Sequence, residues 1–413
     1  MSRQPDGKRI ARIAYVVTVD LSTKLIEGQI AFLAKNGFKV DVICSPGARL
    51  EAMRQEGVTP WAINIEREIS VASDCVSLWR LWRLFRILKP DIVVAGTPKA
   101  GLLGTLAARL AGVTHVEYAL FGLRFETTDG IKRRLLMATE WIACHVADTV
   151  RCVSPSVMAR AIALGLAPEV SCMVIGKGTS DGIAIDRFAF TAETETEANQ
   201  VRLQFHIPPD ALVLGFVGRI TRDKGISELF EAFKRLQGCY SGLQLLLVGD
   251  HDDTDLIPGA LRKQIESDPA IVRTGFVEDV ERFYGVMDVM ALPTYREGFS
   301  TVLVEAQSAS VPVVTTNVTG AVDAIVDGET GLRVPAHDAD ALTSALDRLL
   351  RDGDLRRSMG AAGRIWVEKN FRQEDMWQKF LAHYHSILSS SQDQKTIRWR
   401  GRKPEIVDAQ EHN

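Results

Sequence analysis

Glu297 and Glu305, with seven residues between them in "REGFSTVLVEA", could both act as hydrogen-bond acceptors for a hydroxyl-rich ligand. Glu297 sits in a polar, glycine-containing turn after the apolar run "VMALPTY", and Glu305 sits in a run that reads as helix. A carboxylate is the natural partner for the paired hydroxyls of a polyol such as ribose. Ser300 or Thr301 is placed to cap that helix and leave first-turn amides free to hold phosphate, with Glu297 pointing at whatever hangs from it. Upstream, in "LGFVGRITRDKGISELFEAF", a strand ends at Gly218-Arg219 and a helix begins near Ile226. Gly218 admits close backbone approach, and Arg219 and Lys224 set two cations at a helix entrance, which suits a diphosphate. Each feature alone has a plainer explanation, a solvated loop cation or a helix-dipole partner. Together in one domain they describe sugar, diphosphate and ribose in a row, which is a sugar nucleotide.

The elements that must position these residues are legible as two runs of alternating strand and helix patterns. "IAYVVTV", "KVDVICS", "DIVVAG", "HVEYALF", "TVRCVS" and "SCMVIG" read as strands in the first 180 residues. The pattern restarts after residue 200 with "LVLGFVGR", "LQLLLVGD", "AIVRTGF", "VMALPTY", "VPVVTTN" and "GLRVP". Near-continuous apolar strands are covered on both faces, which is the parallel α/β arrangement. The expected architecture is two doubly wound, Rossmann-like domains facing across a cleft: residues 1–185, an acidic, Thr-rich, non-periodic join at 186–200, a second domain with its final helix at 201–390, and a polar, basic tail at 391–413. Such sheets bind ligands beyond the carboxyl ends of their strands.

Bulk properties narrow the classes. The 413 residues are 46% hydrophobic and carry a formal net charge of −3. The charge is uneven: residues 1–190 hold 24 Lys and Arg against 18 Asp and Glu, and the remainder 25 against 34. That falls short of the basic stripe of a nucleic-acid binder. The six cysteines form no C-x-x-C pair or zinc spacing and are expected to be free thiols of a reducing compartment. The acids of "GDHDDTD" could hold Mg²⁺, but they lie in a polar loop, so neither a metal nor another cofactor is expected. No apolar stretch of 18 residues occurs and the amino terminus reads as a first strand, which predicts a cytoplasmic chain.

The first half offers anion-friendly positions. Lys99 stands at a strand-to-helix turn in "GTPKAGLLG", and "FGLRFETTDGIKRR" adds Arg124, Lys132, Arg133 and Arg134. These cations can hold a lipid diphosphate or face anionic head groups, or simply be solvated. In "LWRLWRLFRILKP", Arg80, Arg83, Arg86 and Lys89 recur every third residue among Trp79, Trp82 and Phe85. That is a membrane-surface signature, or a sheet-covering helix with tryptophans in the core. The tail run "KTIRWRGRK" has five cations and no acid. Peripheral contact with an anionic membrane is therefore an expectation too.

"GRITRDKG" followed by "REGFSTVLVEA" resembles the donor domain of retaining glycosyltransferases of family four, with the two-Rossmann GT-B architecture. The resemblance implies that Arg219 and Lys224 neutralise the donor diphosphate, that Glu297 contacts donor-sugar hydroxyls and Glu305 the ribose, and that backbone from Gly298 through Phe299, Ser300 and Thr301 to Val302 lines sugar and phosphates. It places the base beside "TGFVED", with Phe276 and Val277. The pieces "TPKAGLLG", "GLRFET" and "VIGKGTSDGIAIDRF" resemble, more narrowly, the branch that extends undecaprenyl-diphosphate-linked glycans for capsule, exopolysaccharide, O-antigen or N-glycan assembly from a UDP-sugar at the cytoplasmic face. It implies an acceptor site near Lys99, Phe121 and Arg124. Two positions depart from the family: Phe121 replaces a common histidine, and Asp181 a usual asparagine. Transfer to a soluble acceptor and a catalytically silent sugar-nucleotide-binding subunit are the competing expectations.

Overall fold

Runs of Val, Ile and Leu buried on both faces build two parallel sheets. The computed structural model describes residues 10–66, 70–189, 191–252 and 255–400, with the side chains of 192–193 and 391–400 excepted. The first sheet holds β1 (Arg12–Val16), β2 (Lys39–Cys44), β3 (Thr59–Ala62), β4 (Ile92–Gly96), β5 (His115–Leu120), β6 (Thr149–Cys152) and β7 (Cys172–Met173) in the order β3-β2-β1-β4-β5-β6-β7. The second holds β8 (Val213–Val217), β9 (Gln244–Val248), β10 (Ile271–Arg273), β11 (Val289–Leu292), β12 (Val313–Thr316) and β13 (Gly331–Val334) in the order β10-β9-β8-β11-β12-β13. In each, strand order reverses at one place, between β1 and β4 and between β8 and β11, and the crevice for a ligand opens beyond the strand ends there. The second reversal falls on the two loops that carry Arg219, Lys224 and Glu297.

Two boundaries differ from expectation. The stretch 186–200, read as a join, is not a linker: a helix runs Ala192–Gln204, and Ile183, Ile185, Phe188, Ala198 and Val201 already belong to the second core. Its Thr and Glu residues hid a helix that buries only a narrow apolar edge. The final helix, Gln373–Arg400, was assigned to the second domain but returns to the first, where Met376, Phe380, Tyr384 and Ile387 join the core beneath β1 and β2. The chain therefore crosses between domains twice. The side chains of the basic run in the tail lie outside the described residues.

The segment "GKGTSDG" lies at the first crossing between the domains. Gly176, Gly178 and Gly182 all have positive φ, and a Cβ on Gly182 would lie 2.6 Å from the Cα of Gln373. Asp181 takes two donors on each oxygen: Gln29 N (2.6 Å) and Trp377 Nε1 (2.8 Å) on one, Gly28 N (3.0 Å) and Gln373 Nε2 (3.3 Å) on the other. An asparagine offers one acceptor oxygen and an amide that would face two of these donors. That is the physical reason for the aspartate here. Burial pushes its carboxyl up to about 7 against the pull of these donors.

The Trp/Arg run lies on the helix Val71–Leu88, which covers the sheet with one face and leaves the other to solvent. Leu81, Leu84, Phe85 and Leu88 cover the sheet, while Trp79 is 52% exposed and Arg80, Arg83 and Arg86 face solvent. No described helix is long and apolar enough to cross a membrane.

Candidate active site

A cavity of about 220 Å³ lies between the domains. Leu25, Phe121, Val153 and Ser180 line it from the first domain, and Arg219, Asp223, Lys224, Arg296, Glu297, Gly298, Phe299 and Thr301 from the second. The loop after β8 turns at Gly218 (φ 145°) and Gly225 (φ 69°). A Cβ on Gly225 would lie 2.0 Å from the Pro293 carbonyl oxygen, so glycine is required for the two loops to touch. That contact carries Lys224 to Glu297, whose carboxylate accepts its ammonium at 2.5 Å, both side chains largely shielded from water. Arg219 reaches the cavity but pairs with Asp252 at 2.6 Å, and neighbouring Arg222 pairs with Asp255 at 2.9 Å. Acids that invited a metal reading thus serve as counter-ions to the cation loop.

The helix Thr301–Ser308 starts as expected at Ser300, yet neither Ser300 nor Thr301 caps it by side chain. The amides of Thr301 and Leu303 donate to the carbonyls of Phe299 (3.1 Å) and Ser300 (3.2 Å). The first-turn donors are therefore not all free. Ser300 is 2% exposed and its Oγ has no hydrogen-bond partner. A buried hydroxyl without a partner is costly and calls for one, and this one sits at the positive end of a helix. Glu305, one turn in, accepts from the Tyr284 hydroxyl at 2.7 Å. Burial pushes its carboxyl above the ordinary range, Tyr284 opposes that shift, and Glu281 adds to it.

The structure gathers Phe121, Arg219, Lys224, Glu297, Gly298, Phe299 and Thr301 around the cavity. Gly298 meets the first domain directly: an added Cβ would lie 1.7 Å from the Phe121 carbonyl oxygen. The Phe121 ring in turn packs on Gly96, where a Cβ would approach within 2.3 Å. Phe276, 65% exposed, and Val277 sit on the loop after β10, with the Lys24 ammonium 5.9 Å from the Phe276 ring. Lys99 is engaged otherwise, paired with Asp74 at 2.7 Å, and neither it nor Arg124 lines the cavity. Five lining residues were not singled out in the sequence: Leu25, Val153, Ser180, Asp223 and Arg296. Arg296 donates to Thr127 Oγ1 of the first domain (2.8 Å) and pairs with Asp223 (3.3 Å), while Ser180 lies in the crossing segment. The "RE" of "REGFS" and the "D" of "TRDKG" were the available signals for Arg296 and Asp223.

Known proteins resemble both halves. Residues 24–178 match the model described as "Glycosyl transferase 4-like domain", and residues 211–352 match "Glycosyl transferases group 1". The capsular polysaccharide biosynthesis glycosyltransferase CapM of Staphylococcus aureus is 36% identical over 382 residues, 92% of this chain and 98% of that protein. The UDP-Gal:alpha-D-GlcNAc-diphosphoundecaprenol alpha-1,3-galactosyltransferase of Escherichia coli is 24% identical over 78% of this chain and 82% of its own length. In fold, the chain is similar to Anabaena Alr3699/HepE in complex with UDP and glucose, with a TM-score of 0.75 and 18% identity over 91% of this chain and 99% of that one. Two Rossmann-like domains, a shared cleft and a relative matched along nearly its whole length lead to one conclusion: the chain belongs to the glycosyltransferases of family four and has the GT-B fold.

Proposed function

We propose that this enzyme moves a hexose or N-acetylhexosamine, with retention, from a UDP-sugar to an undecaprenyl-diphosphate-linked glycan during capsule or related surface-polysaccharide assembly. The reaction takes place at the cytoplasmic face of the plasma membrane. The observation that carries the donor reading is the Lys224–Glu297 pair in the interdomain cavity, with Arg219 also lining it and a helix amino terminus at Thr301. A diphosphate draws Lys224 towards itself and frees Glu297 for sugar hydroxyls. The UDP named with one structural neighbour and the lipid diphosphate named with one relative support the choice of donor and acceptor.

Fixed cations and helix amides stabilise the departing diphosphate without reorganising. The bond from the anomeric carbon to the phosphate oxygen breaks, the acceptor oxygen bonds to that carbon on the same face, and its proton passes to the departing phosphate. A double-displacement route would need a free carboxylate nucleophile and an acid/base partner. Of the cavity's two carboxylates, Asp223 is held by Arg296 and Thr221, and Glu297 is assigned to sugar hydroxyls once Lys224 turns to the diphosphate, so no separate nucleophile and acid/base pair stands there. Side-chain cations carry the charge that a metal would neutralise, so a chelator should leave the rate unchanged. The test is transfer from a panel of UDP-sugars to undecaprenyl-diphosphate glycans and to soluble sugars, with product NMR. An α linkage on the lipid acceptor is expected from an α-linked donor. A β linkage, equal transfer to soluble sugars, or UDP-sugar binding with no turnover on any acceptor would overturn the reading.

A further inference from the structure

Glu305 is the acid of the helix Thr301–Ser308, and groups from two other elements face it. Tyr284 ends the short helix Glu281–Tyr284, where its ring is fully buried and packs edge-on against Phe188 with centroids 5.7 Å apart. Its hydroxyl donates to Glu305 Oε2 at 2.7 Å and also lies 3.3 Å from the carbonyl oxygen of Val302, in the first turn of the Glu305 helix. Arg187, on the turn Ile185–Phe188 that follows the first crossing between the domains, pairs with Glu281. That turn packs against both helices, so Tyr284, Glu281 and Arg187 stand around one side of the Glu305 carboxylate. Glu305 is half-buried, and Tyr284 is the one hydrogen-bond partner of its carboxylate among the described residues.

We infer that Tyr284 is a positioning residue for donor selection: it holds the Glu305 carboxylate in place for the ribose hydroxyls, so that a ribonucleoside diphosphate is taken in preference to its deoxy analogue. This role goes beyond the assignment of Glu305 to the ribose but rests on it. A free glutamate side chain loses rotamer freedom when it grips a ligand. The Tyr284 ring is locked in a packed core, so its O–H fixes that rotamer in advance, through a bond strengthened by the carboxylate charge. The phenol occupies Oε2, and Oε1 keeps its lone pairs for the ligand. A nucleotide that lacks a ribose hydroxyl then leaves a desolvated acceptor unpaired, and that loss discriminates against it. Charge acts in the same sense, because protonation turns an acceptor oxygen into a donor. Burial pushes the Glu305 carboxyl up, Tyr284 pulls it back most, Glu281 adds to the rise and Arg187 opposes it. Without the Tyr284 O–H the carboxyl rises further, so on acidification the donor is lost at a higher pH.

Calorimetry across a pH series compares UDP, 2′-deoxy-UDP and 3′-deoxy-UDP on the full-length parent, Glu305→Gln, Tyr284→Phe and Arg187→Gln. The parent should favour UDP, and Glu305→Gln should lose most of that preference. Tyr284→Phe keeps the ring and its packing. At neutral pH it should bind UDP about tenfold more weakly, the scale of one hydrogen bond to a charged group. It should also discriminate less among the three nucleotides and lose UDP at a higher pH than the parent. Its donor KM should rise with kcat nearly kept, since the ribose is remote from the breaking bond. Arg187→Gln, at a side chain 60% exposed, should move the acid loss in the same direction with the Tyr284 hydroxyl still present. A folded Tyr284→Phe that binds, discriminates and titrates like the parent overturns the role of Tyr284. If melting shows that Tyr284→Phe does not fold, an unmoved acid loss in Arg187→Gln overturns it instead. Weaker UDP in Glu305→Gln beside a parent-like Tyr284→Phe would sink that role and leave the ribose assignment standing. UDP and its deoxy analogues bound alike by the parent and by Glu305→Gln would remove the ribose assignment, and the role of Tyr284 with it.

Discussion

Lys224 and Glu297 answer each other's charge while the site lacks substrate, at 2.5 Å and with little water around either. Their roles separate once a diphosphate competes for the ammonium. Lys224→Ala should lower kcat/KM by about 10²–10³-fold, as expected for loss of one preorganised charge on a leaving group, and should weaken UDP measured by calorimetry. Glu297→Gln keeps the size and removes the charge. It should lower turnover while leaving UDP affinity near normal, because its partner is the sugar. Equal loss of UDP affinity in both variants would show that Glu297 acts only by holding Lys224. At this scale the sequence displayed the residue types but not their pairing. Arg219 and Lys224 stood out because glycines bracket them at a strand end. Their partners Asp252 and Glu297 come from other loops, and nothing in local spacing links them. Lys99 misled because a cation at a helix start looks free until the preceding helix supplies Asp74.

Elements were the most legible level where apolar runs were long. β3 was missed because "TPWA" is short and contains Pro60, which a sheet edge tolerates and a sequence pattern discounts. The final helix was anticipated, but its destination was not, since a 3.6-residue apolar stripe does not say which core it enters. A buried polar network fixes that destination. Glu117 on β5 pairs with Arg151 on β6 at 2.7 Å and with His383 of the final helix at 2.7 Å, and Tyr384 bonds Tyr15 at 3.0 Å. Burial would push the Glu117 carboxyl up, but Arg151 first and His383 next outweigh it and hold it at about 2. An unfolded glutamate titrates near ~4.3. The folded value is the lower one, so the stabilisation is complete above ~4.3 and is lost as pH falls from there through about 2. Urea unfolding across that range should show an acid-dependent loss in the parent. Glu117→Gln should flatten that limb and cost about 3–5 kcal/mol at neutral pH, because Arg151 keeps a buried charge without its partner. An unchanged acid limb would remove Glu117 from the account.

At the scale of the whole molecule, several polar contacts join the two domains across the cleft. Gly298 lies against the Phe121 carbonyl, Arg49 meets Glu278 at 3.0 Å, and Thr319 donates to Glu126 at 3.2 Å. The most telling contact is Asp323. From the second domain its carboxylate accepts the amide of Ser156 at 3.1 Å, and the Ser156 hydroxyl too, at the amino terminus of the helix Pro155–Ala163 in the first domain. An acid capping a helix across a cleft acts as a latch, since it satisfies free amides and the helix dipole only when the domains meet. A cavity of about 220 Å³ is below the ~300–1,000 Å³ of ordinary ligand sites, so the cleft is expected to widen when a nucleotide sugar enters. Asp323→Ala removes about 1 kcal/mol of closure, roughly a fivefold shift towards the open form. Small-angle scattering should then give a larger radius of gyration without donor and a return towards the parent value with UDP. Steady-state kinetics should show kcat/KM reduced by a similar factor, because part of the binding energy now goes into shutting the cleft. Identical scattering and identical kinetics in the variant would mean that Asp323 does not hold the domains together.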